Sequence, residues 1–281
     1  MLCGARGFLE GIIMTSVVTW IIVAVFAFGG GFINGARKDK QIPELMKYYT
    51  DRGWVVISID YRLGLRGYKN LSALSGISKF RKAIEMAGED LISATDYILR
   101  NLLQTPHFSI NPSHIVTVGS SAGAITVLQA DYFLGNRTHG AELLPDTFHY
   151  AGVMSFAGAI FSTQGKVKYR KQSPAPTLLC HGLEDQLVPY RSIEFLNIGL
   201  YSSKAIVKRF NKFNYPYYFR KYEGMGHEIA AYYKVEFKLM DEFLSNQVFG
   251  QQFLQIDEYY NNPSLPKLKS WRIRPKDMNK N

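Results

Sequence analysis

Cysteine is scarce in this chain, with two residues, Cys3 and Cys180, among 281. Cys3 lies near the terminus and Cys180 lies within an apolar run, so a disulfide framework is not expected. Two cysteines are also too few for a thiolate metal site. Cysteine usage therefore leaves the cellular compartment open.

A clean signal peptide is also lacking. The first seven residues contain one arginine, but Glu10 follows it and no small-residue cleavage site follows the apolar stretch. Secreted, periplasmic and cytoplasmic locations are all compatible with the sequence, and the oligomeric state is left open as well.

The chain has no internal repeats, and its basic residues are in excess without being concentrated. Lys and Arg number 33 against 23 Asp and Glu, which gives a formal net charge of +10. Local density occurs only at residues 37–40, at residues 166–171 and in the tail, without the basic and aromatic stripe of a nucleic-acid module. Nucleic acid is therefore not expected as a partner. A solvated basic surface is the preferred interpretation, and attraction to acidic polysaccharide or membrane is the alternative.

What the chain does contain is an alternation of apolar, β-branched runs with helical patterns. Such alternation predicts an α/β fold with a mostly parallel sheet and helices on both faces. The predicted strands are residues 17–28, 53–61, 114–120, 150–158, 176–182 and 217–224. The predicted helices are residues 39–52, 83–103, 122–134, 190–210 and 227–248, and residues 62–80 are predicted as a surface loop.

The residues that follow the strands are the candidates for chemistry, because such sheets place active sites at the carboxyl ends of their strands. The sequence Gly-Ser-Ser-Ala-Gly at 119–123 fits G-x-S-x-G between a strand and a helix. Ser121 occupies the central position and is the predicted nucleophile, whereas Ser120 is its structural neighbour.

Two further strand ends supply the partners that a serine needs. Asp185 follows the strand at 176–182 and is preferred over the adjacent Glu184 as the carboxylate that orients a histidine. His227 follows the strand at 217–224 and is the predicted base, whereas His181 is interpreted as a packed residue. The order Ser121, Asp185, His227 is that of the α/β-hydrolase fold. The remaining histidines have no metal-ligand spacing, so a metal site is not expected.

The triple glycine at 29–31 answers a further need of this chemistry, since a tetrahedral intermediate requires amide donors for its oxyanion. The amide of Ala122, next after the nucleophile, is one predicted donor. Gly30 and Gly31 are predicted to supply the others, because backbone without a Cβ can approach a substrate oxygen closely.

Five motifs together resemble an α/β-hydrolase serine esterase: GGGF, SIDYRLG, GSSAGA, HGLEDQLVP and GMGH. The nearest similarity is to the carboxylesterase, acetyl-xylan and feruloyl esterase-like enzymes of gut Bacteroidetes, and it covers about residues 18–248. The resemblance implies hydrolysis of small esters or acyl-decorated polysaccharides without a cofactor. It also implies that Asp60 and Arg62 brace the oxyanion loop, in which Phe28 replaces the usual histidine.

The amino end departs from this resemblance, because only 28 residues precede Gly29 and the usual two additional strands are not recognisable. We expect these strands to be truncated or replaced. Residues 11–36 carry no charge, which satisfies the length of a membrane span. A strand is nevertheless preferred at residues 17–28, because a span there would bury the segment that must carry the glycine loop.

The predicted organisation is an atypical amino-terminal segment at residues 1–16, a catalytic domain at 17–250 and a basic carboxyl-terminal extension at 251–281. The expected function is hydrolysis of carboxylic esters, with a small-molecule or polysaccharide ester as the partner. A serine peptidase of the prolyl oligopeptidase type and a non-catalytic hydrolase-fold binding protein are the alternatives.

Overall fold

The computed structural model describes residues 21–39, 42–68, 73–102 and 110–265. Its strands are Ile21–Ala27 (β1), Val55–Ile59 (β2), Ile110–Ser120 (β3), Gly152–Phe156 (β4), Ala159–Ser162 (β5), Thr177–Gly182 (β6), Ile193–Phe195 (β7), Ile198–Ser202 (β8), Tyr217–Tyr222 (β9) and Gln255–Tyr260 (β10). Its α-helices are Ile42–Thr50 (α1), Ala73–Leu102 (α2), Ala122–Asn136 (α3), Ser203–Phe213 (α4) and Phe237–Phe243 (α5). Short 3₁₀ helices lie at Ala141–Leu143 and His227–Lys234, and a π-helical turn lies at Leu244–Phe249.

Seven of the strands form one sheet in the order β10-β9-β6-β4-β3-β1-β2. Every neighbouring pair in this sheet is parallel. The central strands are continuous apolar runs, as expected where helices cover a sheet. The predicted α/β class with a parallel sheet is therefore confirmed.

Strand β1 resolves the two interpretations of the uncharged amino-terminal stretch for the residues that are described. Val25 of β1 lies opposite Ile57 of β2 and Thr117 of β3, so the strand is paired on both sides. Within the described ranges, none of the helices combines the length with the apolar character that a bilayer crossing requires. Residues 17–20 of the predicted strand, and the segment 1–16, lie outside the described residues.

Residues 190–210 differ from the predicted helix. A second, antiparallel sheet in the order β5-β8-β7 occupies much of this region, and helix α4 begins only at Ser203. The turn between β7 and β8 places Leu196 at a φ of 55°, which permits a tight hairpin. The prediction was wrong here because apolar residues at 193, 196 and 200 also match helical spacing.

The boundaries of other elements were corrected as well. Helix α2 begins at Ala73, inside the predicted loop at 62–80. The predicted helix at 227–248 is divided into a 3₁₀ helix, α5 and a π-helical turn.

The sheet also continues past residue 250, where the predicted catalytic domain ended. Strand β10 pairs in parallel with β9, with Asp257 opposite Phe219. Residues 255–260 therefore belong to the main sheet rather than to a separate extension.

Candidate active site

Ser121 lies on the turn that joins β3 to α3. Its φ of 52° and ψ of −117° are unusual for a residue with a side chain. Its amide donates to the carbonyl of Phe156 at 2.9 Å, and its carbonyl accepts from the amide of Ile125 at 3.0 Å. Hydrogen bonds to a strand end on one side and to the helix on the other therefore fix the serine.

The two glycines of the motif are required by close packing around this turn. A Cβ on Gly119 would lie 2.2 Å from the carbonyl oxygen of Gly123, and one on Gly123 would lie 2.0 Å from that of Ala27. Both distances are shorter than any non-bonded contact between a carbon and an oxygen atom in a real structure. The glycines thus allow helix α3 to start directly against the ends of β1 and β3.

His227 reaches the serine from the segment that follows β9. It begins the 3₁₀ helix after β9, and its Nε2 lies 2.8 Å from Ser121 Oγ. Its Nδ1 lies 2.8 Å from Asp185 Oδ2. The structure thus brings the three residues selected from the sequence into one hydrogen-bonded chain.

Asp185 is held by the loop that follows β6. Its Oδ1 accepts from the amides of Leu187 at 2.9 Å and Val188 at 3.0 Å. Its side chain is fully buried, whereas the neighbouring Glu184 is exposed. The other oxygen, Oδ2, lies 2.8 Å from His227 Nδ1 and 3.5 Å from Nε2 of the buried His181, so His227 is the nearer of the two imidazoles.

The two neighbours that could have competed for these roles have other partners. His181 is fully buried, with Nδ1 2.8 Å from Ser203 Oγ and Nε2 2.8 Å from the carbonyl of Val188. Burial lowers the pKa of His181, so this imidazole is held neutral within the core. Ser120 donates its hydroxyl to the carbonyl of Ala230 at 2.6 Å.

The glycine turn lies beside the serine. A Cβ on Gly29 would be 3.2 Å from the Cβ of Ser121. Gly30 and Gly31 have φ values of 130° and 64°, which glycine adopts without strain. Within the described residues, the amides of Gly30, Gly31 and Ala122 donate to no other protein group. Gly29 therefore lies beside Ser121, and the amides of Gly30, Gly31 and Ala122 stay predicted donors that no other described protein group uses.

Tyr61, which was not among the predicted site residues, braces this turn. Its hydroxyl donates to the carbonyl of Phe28 at 2.6 Å, and its ring stacks on that of Phe28 at 4.5 Å between centroids. The backbone contributes a second link, because the amide of Leu65 donates to the carbonyl of Phe32 at 2.9 Å. The signal was present in SIDYRLG, where Tyr61 lies between the two charged residues that were chosen instead.

Those two charged residues have different positions. Asp60 accepts from the amide of Arg37 at 2.8 Å and from its guanidinium at 2.9 Å, so it fixes the segment that follows the glycine turn. Arg62 instead pairs with Asp90 and Glu89 on α2. Bracing of the loop therefore involves Asp60 and Tyr61, and Arg62 ties the same strand end to a helix.

The aromatic residues Tyr68, Phe148, Tyr150, Phe156 and Phe161 lie in segments that flank the strand ends, where the sequence permits either a substrate wall or core packing. Phe148, Tyr150, Phe156 and Phe161 are buried. Only Tyr68 is half exposed, with Lys79 over its ring. The alternative that these rings provide packing is the better description of the four.

Comparison with protein families matches a segment of the chain. The family model BD-FAE, an esterase-like α/β-hydrolase domain, matches residues 15–142. This match includes the glycine turn and Ser121 and ends before Asp185 and His227. None of the curated proteins compared with the chain matches it.

Solved structures of esterases share the fold. Esterase 2 of the Planctomycetes species Thermogutta terrifontis in its butyrate-bound form is 18% identical, with a TM-score of 0.57 over 86% of this chain and 87% of that one. The same esterase phosphorylated by paraoxon is 20% identical, with a TM-score of 0.57 over 83% and 85%. A tributyrin phosphonate structure of esterase B from Lactobacillus rhamnosis is 12% identical, with a TM-score of 0.54 over 83% and 79%. These matches confirm the α/β-hydrolase fold and the resemblance to esterases that have it.

Proposed function

We propose that this α/β-hydrolase-fold protein is a carboxylic ester hydrolase that acts through an acyl-enzyme on Ser121. The observation that carries the proposal is the continuous chain from Ser121 Oγ through His227 to Asp185, with both contacts at 2.8 Å. The esterases that share its fold support the same reaction class.

The first half of the reaction begins at the serine hydroxyl, which is a weak nucleophile until a base removes its proton. His227 Nε2 accepts that proton as Oγ attacks the ester carbonyl. The resulting imidazolium keeps its Nδ1–H directed at Asp185 Oδ2, and the negative carboxylate stabilises the positive ring. Because the amides of Leu187 and Val188 fix Asp185, the ring does not have to reorient during this step.

The tetrahedral intermediate places a negative charge on the former carbonyl oxygen. We assign the amides of Gly30, Gly31 and Ala122 as its hydrogen-bond donors, since each is without a protein acceptor in the described structure. Loss of one such donor typically raises the barrier by about 3 kcal/mol.

The remaining steps reuse the same groups. The alcohol leaves with a proton from His227 Nε2, and the acyl group stays on Ser121 Oγ. Water then gives a proton to His227 and attacks the acyl carbonyl, which releases the acid and restores the serine hydroxyl.

We assign short-chain esters as the substrate class. Polysaccharides that carry acetyl or feruloyl groups are the second substrate class to be tested. The butyrate-bound relative supports small acyl groups. A panel of p-nitrophenyl esters of increasing chain length, acetylated xylan and methyl ferulate measures the preference. An aminoacyl-proline anilide in the panel tests the peptidase alternative.

The central test is Ser121→Ala, with Ser120→Ala as its matched control. Ser121→Ala should lower ester turnover at least about 10³-fold and abolish labelling by a fluorophosphonate, while folding is retained. Ser120→Ala removes a neighbouring hydroxyl that donates a hydrogen bond to the carbonyl of Ala230. This variant should keep both fluorophosphonate labelling and ester turnover. Turnover by Ser121→Ala at the unaltered rate, or labelling of another residue, would overturn the assignment.

A further inference from the structure

A cavity of about 360 Å³ is lined by residues other than those assigned to catalysis. It is formed by α4, by the β7–β8 hairpin and by the segment around Lys166. None of its lining residues belongs to the chain of Ser121, His227 and Asp185 or to the glycine turn. Its chemistry therefore needs a separate explanation.

Positive charge dominates this cavity. Lys208, Arg209 and Lys212 follow helical spacing along one face of α4, and Lys166 approaches from the opposite segment. Among the described residues that line the cavity, Glu194 is the single carboxylate. In the described part of the chain, none of the three lysines forms an ion pair with an acidic side chain. The positive charge is therefore not neutralised by the protein itself.

Arg209 is positioned in advance. Its Nε donates to the carbonyl of Val167 at 2.7 Å, and its guanidinium lies 4.6 Å from the ring centroid of Phe213. These contacts fix the plane of the guanidinium, and its two terminal nitrogens donate to no acceptor among the described residues. Two terminal nitrogens held in a fixed plane suit an anion that accepts hydrogen bonds through two of its oxygens.

Neutral donors complete the lining. Tyr201 is only 2% exposed, and its hydroxyl forms no hydrogen bond of ordinary geometry with a protein group. Burial, followed by the nearby Glu194, raises the pKa of Tyr201 to about 12, so the hydroxyl keeps its proton at neutral pH. The Ser192 hydroxyl accepts from the amide of Ser202 at 3.2 Å, which leaves its own proton free to donate.

We propose that this cavity binds a phosphate group carried by a small molecule or a lipid headgroup. Four cations against one carboxylate suit a dianion, and lysines bind phosphate as point charges while an arginine offers two parallel donors. The volume lies at the lower end of the range for small-molecule sites, so a compact ligand fits.

The β7–β8 hairpin, which forms one wall of the cavity, carries exposed apolar residues that distinguish a lipid headgroup from a soluble phosphate. Because side chains alternate along a strand, Ile193 and Phe195 of β7 lie on the opposite face of the hairpin from Glu194. Ile198 of β8 is paired with Phe195 and lies on the same face as Phe195. Phe195 is 77% exposed, and Leu196 in the turn is 84% exposed. A bilayer that supplied the headgroup would cover these apolar side chains, whereas a soluble phosphate would not.

The test measures calorimetric binding of inorganic pyrophosphate and, separately, sedimentation with phosphatidylcholine vesicles with and without phosphatidic acid. The cavity variant is Lys208→Gln with Lys212→Gln, and the control is Lys82→Gln with Lys238→Gln, which makes the same charge change on two other helices. The cavity variant should bind about tenfold or more weakly, and the control should bind as the unaltered protein does. Lys166→Gln repeats the test without altering α4.

The outcomes identify the source. Pyrophosphate binding that the cavity variants weaken assigns a soluble phosphate, whereas vesicle binding that both the cavity variants and Phe195→Ser weaken assigns a lipid headgroup. The proposal is overturned if the unaltered protein binds neither probe, or if cavity and control variants bind equally. Ser121→Ala should bind the probe as the unaltered protein does, so the result is independent of the proposed esterase activity.

Discussion

At the scale of single residues, the geometry of Ser121 depends on contacts made by its neighbours. A positive φ at a residue with a side chain costs roughly 1 kcal/mol or more. The hydrogen bonds to Phe156 and Ile125, and the absence of side chains at Gly119 and Gly123, hold that geometry. The hydroxyl therefore projects at the edge of the sheet rather than into helix α3.

Local motifs were sufficient to select Ser121, Asp185 and His227, because each follows a strand and their order is known for this fold. Tyr61 could not be selected in the same way. Its role depends on a hydroxyl reaching a carbonyl 33 positions earlier, and no spacing rule encodes that contact. The sequence also identified the amide donors without their orientation, so that assignment stays a prediction.

We expect Tyr61→Phe to lower kcat about three- to tenfold with little change in KM. The ring remains stacked on Phe28, but the carbonyl of Phe28 loses its donor, and an unpaired buried acceptor costs about 1–3 kcal/mol. Part of that cost should appear as a less ordered glycine turn. Steady-state kinetics on the best p-nitrophenyl ester, with unfolding in urea, measures both effects.

The matched control is Tyr150→Phe. Tyr150 is equally buried, and its hydroxyl pairs with Thr95 far from the glycine turn in sequence. This variant should lose stability without losing kcat. Equal kcat values for the two variants would mean that Tyr61 contributes to folding alone.

At the scale of elements, the predictions succeeded for strands buried on both faces and were wrong for the hairpin. The hairpin places Ile193, Phe195 and Ile198 on one side and Glu194 on the other, which is the alternation of a strand. Over three to five residues that alternation is too short to distinguish from helical spacing. The turn also uses Leu196 at positive φ, where glycine or asparagine would have been the signal.

Strand β10 was missed for a different reason. Its sequence QIDEYY is largely polar, as suits the edge of a sheet, and does not resemble a buried strand. Charged pairs attach it instead. Arg220 of β9 donates to Glu258 of β10 at 2.8 Å, and Lys221 of β9 pairs with Asp257 of β10. Arg220 also donates to Glu236, just before α5, at 2.9 Å.

We expect Glu258→Gln to lower the free energy of unfolding by about 1–2 kcal/mol. The amide oxygen can still accept from Arg220 and Tyr218, so the change removes charge and little geometry. Arg220 is largely buried, and among the described residues it would keep only Glu236 as a charged partner. Urea denaturation followed by circular dichroism gives the value.

Glu242→Gln is the control for this change. Glu242 lies 3.9 Å from Lys238, and both side chains are well exposed, so this pair should contribute little. Equal unfolding free energies for the two variants would show that the Arg220 cluster does not hold the sheet edge.

At the scale of the whole molecule, the site exists because a parallel sheet brings distant segments to one edge. The carboxyl ends of β1, β3, β6 and β9 carry the glycine turn, Ser121, Asp185 and His227 in turn. Alternating strands and helices were enough to predict this convergence. Charge inside the core was not predictable, because burial depends on packing that no motif describes.

Asp131 is the clearest case of such internal charge. It lies on α3, the helix that follows the nucleophile, and is almost completely buried. Its Oδ2 accepts from the hydroxyl of Tyr169 at 3.0 Å, and its Oδ1 accepts from the amide of Ala175 at 3.2 Å. Burial raises the pKa of Asp131 to about 7, against which these two hydrogen bonds act.

This carboxyl group should make the stability of the whole fold depend on pH. The raised pKa means that the folded state binds a proton which the unfolded state has released above about pH 4, so the stabilisation is complete below that pH and is lost as pH rises through 7. Between about pH 5 and pH 8 the loss should be on the order of 2 kcal/mol. Asp131→Asn cannot titrate, and its amide oxygen can accept from Ala175 while its NH₂ donates to the hydroxyl oxygen of Tyr169. The free energy of unfolding of this variant should therefore rise relative to that of the unaltered protein as pH increases across this interval. Urea unfolding of both proteins at each pH measures the difference, which isolates Asp131 from every other titrating group. A difference that does not change with pH would show that the carboxyl is ionised in the folded protein throughout.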